Sequence, residues 1–167
     1  MTINDAVLPE FDHEMGTTRK LLERVPDGEF GWKPHDKSMS LGRLVTHLAE
    51  LPGWVNAIIK LDEFDAGATN YKPQAAASRA DVLKLFDDNV AAARATLASR
   101  SDAEYMAPWT FKQSGRALFT MPKIAVVRTW LLNHVVHHRG QLSVYLRLHD
   151  VPIPAIYGPS ADEGTGA

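Results

Sequence analysis

Apolar positions recur at helical spacing in four stretches of the chain. In the first, from about Asn4 to Val25, the residues Ile3, Val7, Phe11, Met15, Leu22 and Val25 stand three, four or seven apart, the period of one buried helix face. Pro26-Asp27-Gly28 closes it with turn chemistry. The second stretch, from about Ser40 to Leu61, carries Leu41, Leu44, Val45, Leu48, Leu51, Val55, Ile58 and Ile59. Pro52-Gly53 inside it predicts a kink, because proline lacks the N–H that the helix ladder needs. The third opens at Ser78, a cap, with Asp81 at the positive end of the helix dipole. Val82, Leu85, Phe86, Val90, Ala93 and Leu97 form its buried face. The fourth carries Val127, Trp130, Leu131, Leu142, Tyr145 and Leu148, with Thr120 as its predicted cap and Pro122 near its first turn. Asp150-Val151-Pro152 ends it.

Between these stretches the pattern changes. Residues 62–72 have no period and read as a loop. Ser101 and Glu104 have capping-box spacing and predict a short turn that Pro108 ends. Trp109-Thr110-Phe111 and Ala117-Leu118-Phe119 flank the polar Lys112-Gln113-Ser114-Gly115, which predicts a β-hairpin. A lone hairpin is marginal in water, so it should pack over one end of the helices, near His47. The tail after Pro159 is small and polar, and its end is expected to be disordered. The expected fold is all-α: a four-helix bundle with a small β-hairpin between the third and fourth helices, residues 1–167 forming a single domain.

Composition narrows the chemistry. The chain has no cysteine, which excludes a disulfide framework, a thiolate zinc site, an iron–sulfur cluster and a cysteine nucleophile. Its 18 basic and 20 acidic residues give a net charge of −2, without the basic excess that nucleic-acid backbones attract. No apolar run approaches the ~18 residues that span a bilayer. Asp5, Glu10 and Asp12 stand where a signal peptide would be basic and then apolar. The expectation is a cytoplasmic protein with a small-molecule substrate and neither a nucleic-acid nor a membrane partner.

Of seven histidines, three stand at 134, 137 and 138. His134 and His138 are one helical turn apart and can reach one ion. Such a pair also arises by chance, and a hydrogen-bonded histidine in a core or on a surface is the commoner case. Two observations favour a metal. At ~100° per residue, the apolar residues of this helix centre on a direction between the two histidines, and imidazoles there need partners. His47 stands three residues from Leu44, four from Leu51 and eleven from Ile58, so it also faces inward. Three inward histidines make a facial nitrogen set, which suits a catalytic zinc or a six-coordinate nickel, iron or manganese. His137 competes with His138. Relative to His134, His138 is rotated about +40° and His137 about −60°, while the stripe centre falls at about +20°.

Other constellations are weaker. Glu10-Phe11-Asp12-His13 is Glu-x-x-His, but a di-iron bundle needs that motif twice plus two further glutamates. Asp12 and Glu50 lie near inward positions, as a fourth ligand, as a base, or simply at the solvent edge. Trp54, Trp109, Trp130 and Tyr145 read either as pocket lining or as core. Arg139 points about 100° away from His138 and reads as a surface or subunit-contact residue. Gln141, near the stripe, is placed to hydrogen-bond a ligand or to orient a histidine.

The run His134-Val135-Val136-His137-His138-Arg139-Gly140-Gln141-Leu142, followed by Tyr145-Leu146-Arg147, resembles the C-terminal signature of the DinB-like family of bundle metalloproteins. Val151-Pro152-Ile153-Pro154 and Ile156-Tyr157-Gly158-Pro159-Ser160 extend the likeness. So do Leu44–Trp54 around His47 and Trp109–Pro122 between the helices. The resemblance implies a four-helix bundle in which His47, His134 and His138 hold a divalent metal, usually zinc or nickel. It implies a homodimer. It also implies a metal-dependent enzyme acting with a low-molecular-weight thiol, since characterised relatives include bacillithiol transferases and a mycothiol-dependent isomerase.

Two functions follow. In the first, the metal lowers the pKa of a bound thiol or water for attack on an electrophile, as in a transferase, isomerase or hydrolase. In the second, the bundle is a non-catalytic metal-binding, oligomerisation or stress-related binding module. A purely structural ion is normally enclosed by four protein ligands, and three histidines leave a position open.

Overall fold

The computed structural model describes residues 1–69 and 75–164. Helix α1 spans Ile3–Leu22 and starts with a capping box: the Thr2 hydroxyl accepts from the Asp5 N–H, and the Asp5 carboxylate accepts from the Thr2 N–H. The second helical stretch breaks as expected, into α2 (Leu41–Glu50), a 3-10 turn (Leu51–Gly53) and α3 (Trp54–Lys60). At the break Asn89 donates to the Ala49 carbonyl at 2.8 Å. Its amide lies so close to Gly53 that a Cβ there would stand 3.0 Å from Asn89 Oδ1. Helix α4 spans Arg79–Ala98 and is capped by the Ser78 hydroxyl; the short α5 spans Asp102–Met106 and has the Ser101–Glu104 capping box.

The hairpin forms from β2 (Pro108–Gln113) and β3 (Arg116–Pro122), antiparallel, turning at Ser114 and Gly115 with φ of 51° and 81°. Both angles are left-handed, the geometry that suits the twist of a tight hairpin. One strand was not expected. Glu63–Asp65, read as loop, forms β1 and pairs parallel with β2, and a 3-10 turn (Ala66–Ala68) follows. Three residues are too short to show an alternation; the strand exists because the hairpin edge is beside it. Asp65 joins the two by accepting from the Ser114, Gly115 and Gly67 N–H groups at 2.8, 2.6 and 2.9 Å. These bonds, that from Gly115 foremost, hold its carboxyl below the usual range. The remainder of the expected loop, residues 70–72, lies outside the described residues.

The last helical stretch is continuous but not uniform. Helix α6 (Lys123–Val126) passes through a π-helical turn (Val127–Leu132) into α7 (Asn133–Leu148). Its cap is Pro122. Thr120 is instead inside β3, its hydroxyl 2.9 Å from that of Thr110. The C-terminal tail is anchored at least as far as Glu163: Asp162 accepts from Arg147 and from the Ile153 N–H, and Glu163 pairs with Arg24 at 2.7 Å. The disordered end expected there falls on residues 165–167, outside the described residues. No described helix is long and apolar enough to cross a membrane.

The helices enclose one core, in which Phe11, Leu44, Leu48, Phe86, Leu97, Leu131 and Leu142 are all essentially inaccessible. Arg139 also lies in it. Expected at the surface, it is 1% exposed and pairs with Glu14 of α1 at 2.6 Å. It reaches the Glu14 carbonyl at 3.2 Å and the Tyr157 hydroxyl at 2.6 Å, and that hydroxyl donates to the Glu14 carboxylate. Helix α7 is covered on two sides, by α2 and by α1, so a residue 100° away from the His138 direction still points at protein.

Candidate metal centre

Helices α2 and α7 bring three imidazoles together. His47 and His138 are buried and His134 is half-buried, while His137 is exposed. The Nε2 atoms of His47 and His134 are 3.4 Å apart, and those of His134 and His138 are 2.9 Å apart. One ring nitrogen from each histidine lies within 4.8 Å of the other two. Two nitrogens bound to one ion at ~2.1 Å would themselves be roughly 3.0–3.4 Å apart. Among the described residues, no carboxylate joins the set.

Behind the facing Nε2 atoms, the Nδ1 atoms of His138 and His47 meet neighbouring side chains. His138 Nδ1 lies 2.7 Å from Gln141 Oε1. An amide oxygen only accepts, so Nδ1 carries the proton and Nε2 is bare. This bare nitrogen faces the His134 Nε2 at 2.9 Å, a separation that a shared cation bridges. Behind His47, Arg43 stands 3.5 Å from Nδ1 and pairs with Glu50 at 3.0 Å, and the Glu50 carboxylate is 3.7 Å from the same nitrogen. Histidine ligands are ordinarily backed in this way by carbonyls, amides and carboxylates. The donor set and its spacing therefore fit a divalent cation.

Electrostatics agree. Burial, reinforced by His138, His134 and the Arg43 guanidinium, lowers the His47 pKa to about 3. Burial likewise lowers His134 and His138, so all three are neutral and able to ligate near pH 7. The consequence for stability has a definite sign. Unfolded histidines titrate near 6.5. As pH falls below that value, the unfolded chain binds protons that the folded site refuses, and metal-free protein loses stability. The slope is at most about 1.4 kcal/mol per pH unit for each histidine. Urea denaturation of metal-free protein between pH 7.5 and 5 should show this fall, and a His47→Gln variant should show a shallower one.

A cavity of about 830 Å³ opens beside the triad, lined by Arg43, His47 and His134 together with Trp54, Trp109, Phe111, Trp130 and Phe64. The sheet thus packs where expected, near His47. Three of the four aromatic residues proposed for a pocket line it. Tyr145 does not; it packs edge-on against Trp32 and donates to the Met39 carbonyl. Asp12 is also elsewhere, paired with Arg94 at 2.7 Å. Glu50 is near but sits behind His47. Gln141 orients His138. Arg43 and Phe64 were not foreseen. Arg43 stands four residues before His47, a spacing that could have flagged it, whereas Phe64 lies in the unexpected strand.

Loss of the Gln141 acceptor should free the His138 ring. Gln141→Ala is expected to weaken metal affinity about 10–100-fold without altering the fold. Competition with a chromophoric chelator measures this, and an unchanged affinity would remove Gln141 from the site.

The fold is thus a helical bundle with a facing histidine triad that could hold a metal ion and an apolar cavity beside it. Residues 10–142 match the DinB superfamily, and the chain belongs to that family. It is 26% identical over 160 residues to the uncharacterized protein YrdA of Bacillus subtilis, spanning 95% of this chain and 90% of that one. A DinB-like protein from Bacillus cereus has the same fold, with a TM-score of 0.75 at 23% identity over 93% of this chain and 98% of that chain. So does the DinB-like protein YjoA of Bacillus subtilis, with a TM-score of 0.68 at 19% identity over 89% and 96%.

Proposed function

We propose that this protein is a divalent-metal-dependent enzyme, with zinc or nickel held by His47, His134 and His138. The observation that carries this reading is the convergence of three imidazoles, with the Nε2 atoms of His134 and His138 facing at 2.9 Å beside an apolar cavity. When bound, the ion supplies Lewis acidity, lowering the pKa of a thiol or water for attack on an electrophile. The chain's own residues do the rest. Gln141 holds His138 in orientation, and Arg43, itself paired with Glu50, stands behind His47. The aromatic wall excludes water from the reacting end. Three protein donors and an adjacent cavity favour catalysis over a structural ion, which four donors would enclose.

The test is metal analysis of purified protein followed by a panel of low-molecular-weight thiols against electrophiles. About one divalent ion per chain is expected, with turnover lost on chelation and restored by zinc or nickel. A metal-bound protein that melts far above its metal-free form, and turns over nothing in the panel, would favour a structural ion instead.

A further inference from the structure

The cavity beside the triad has two unlike ends. His47, His134 and Arg43 line one; apart from Thr69 and Thr129, the remaining wall is aromatic and aliphatic, and no carboxylate among the described residues lines the cavity. Trp130 is the hub of that wall. It meets Phe111 at 4.6 Å and 64°, Trp109 at 5.8 Å and 69°, and Trp54 at 6.2 Å and 55°. Trp54 in turn lies 5.7 Å from both His47 and His134, so the rings run without a break up to the nitrogen donors. Crossed rings present both faces and edges, which a further ring can meet in an offset or edge-on arrangement. Thr129 and Trp130 reach the wall from the π-helical turn, and such turns concentrate at functional sites. A volume of about 830 Å³ lies toward the upper end of the roughly 300–1,000 Å³ typical of small-molecule pockets.

We propose that this cavity binds a compound with a flat, uncharged aromatic body and one anionic or soft-donor head group. The body lies among Trp54, Phe111 and Trp130, and the head points toward His47, His134 and Arg43. Aromatic faces also attract cations, but Arg43 is itself paired with Glu50 at 3.0 Å, so the sign of the head group follows from the cation held at the triad. The head-group half of this inference rests on the metal reading above; the body half rests on the wall alone.

Hydroxamic acids that share one head separate the two halves. Calorimetry is run on zinc-loaded and metal-free full-length protein with acetohydroxamic, cyclohexanecarbohydroxamic, benzohydroxamic and 2-naphthohydroxamic acids. On zinc-loaded protein, the naphthyl compound is expected to bind at least tenfold more tightly than the acetyl one. The benzo compound should bind at least threefold more tightly than the cyclohexyl one. The naphthyl compound should still bind metal-free protein, more weakly but ahead of the acetyl one. Ala57 also lines the cavity, so Ala57→Phe fills the wall without removing a ring. It should cut the naphthyl preference at least tenfold while zinc content and acetohydroxamate affinity stay as in the parent. Trp130→Leu should lower it similarly, with a melting curve showing that the variant is folded. Equal affinities for the naphthyl and acetyl compounds overturn the proposal, as does a preference that Ala57→Phe leaves unchanged. Equal benzo and cyclohexyl affinities overturn its aromatic character. A protein that takes up no zinc refutes the metal reading alone; absence of naphthyl binding to metal-free protein then refutes this one too.

Discussion

His138→Ala and His47→Ala are expected to abolish tight metal binding, while His137→Ala leaves metal content nearly intact. His137 and His138 are adjacent, have identical side chains and are both within one turn of His134, so any difference between them is geometric. His138 is 5% exposed and its Nε2 faces that of His134 at 2.9 Å. His137 is exposed, and its Nε2 lies 3.3 Å from the Gln141 amide. Removing one of three nitrogen donors leaves two, too few for a stable site without solvent filling the gap. Metal measured per chain in identically purified variants decides the matter. Loss from the His137 variant with retention in the His138 variant would refute both the facing geometry and the assignment of the ligands.

Replacing Arg139 should unfold the protein more readily than replacing any surface arginine. The Arg139–Glu14 pair has side-chain exposures of 1% and 9%. Cutting away one partner strands the other charge in the core, which costs about 3–5 kcal/mol. Arg139→Met is therefore expected to lower the urea midpoint sharply, whereas Arg94→Met, at an exposed pair with Asp12, should cost about 1 kcal/mol or less. The coupling has a signature. Arg139→Met combined with Glu14→Leu removes both charges and should be less destabilised than the sum of the two single variants. Additive losses would mean that the pair is not the source of the effect. Tyr157 is coupled to the same pair, so release of the C-terminal tail should accompany the loss, visible as earlier proteolysis near residue 157.

The helices were legible because each carries a long apolar period with its own punctuation. Thr2, Ser40, Ser78 and Ser101 cap through bonds made within three residues, and Pro52 breaks the second stretch by lacking one N–H. Such interactions are local, so spacing alone determines them. The inward direction of His47, His134 and His138 was legible for the same reason, as was the choice of His138 over His137. The π-helical turn at Val127–Leu132 breaks the uniform 100° step used in that arithmetic. The result survives because Leu142 and Tyr145, on the same α7 as the histidines, set the inward direction.

What the sequence by itself determined is therefore the set of helices, the Ser78 and Ser101 caps, the hairpin, and which histidines turn inward. The tertiary structure decided everything that depends on a distant partner. Strand β1 exists only because β2 offers an edge 45 or more residues away in the chain, as in the pairing of Glu63 with Thr110. Arg139 is buried because α1 covers a second side of α7 and supplies Glu14. Tyr145 is diverted from the cavity by Trp32. The histidine triad brings together His47 and His134, which stand 87 positions apart in the chain. Periodicity reports which way a side chain points along its own helix; only packing decides what stands there to meet it.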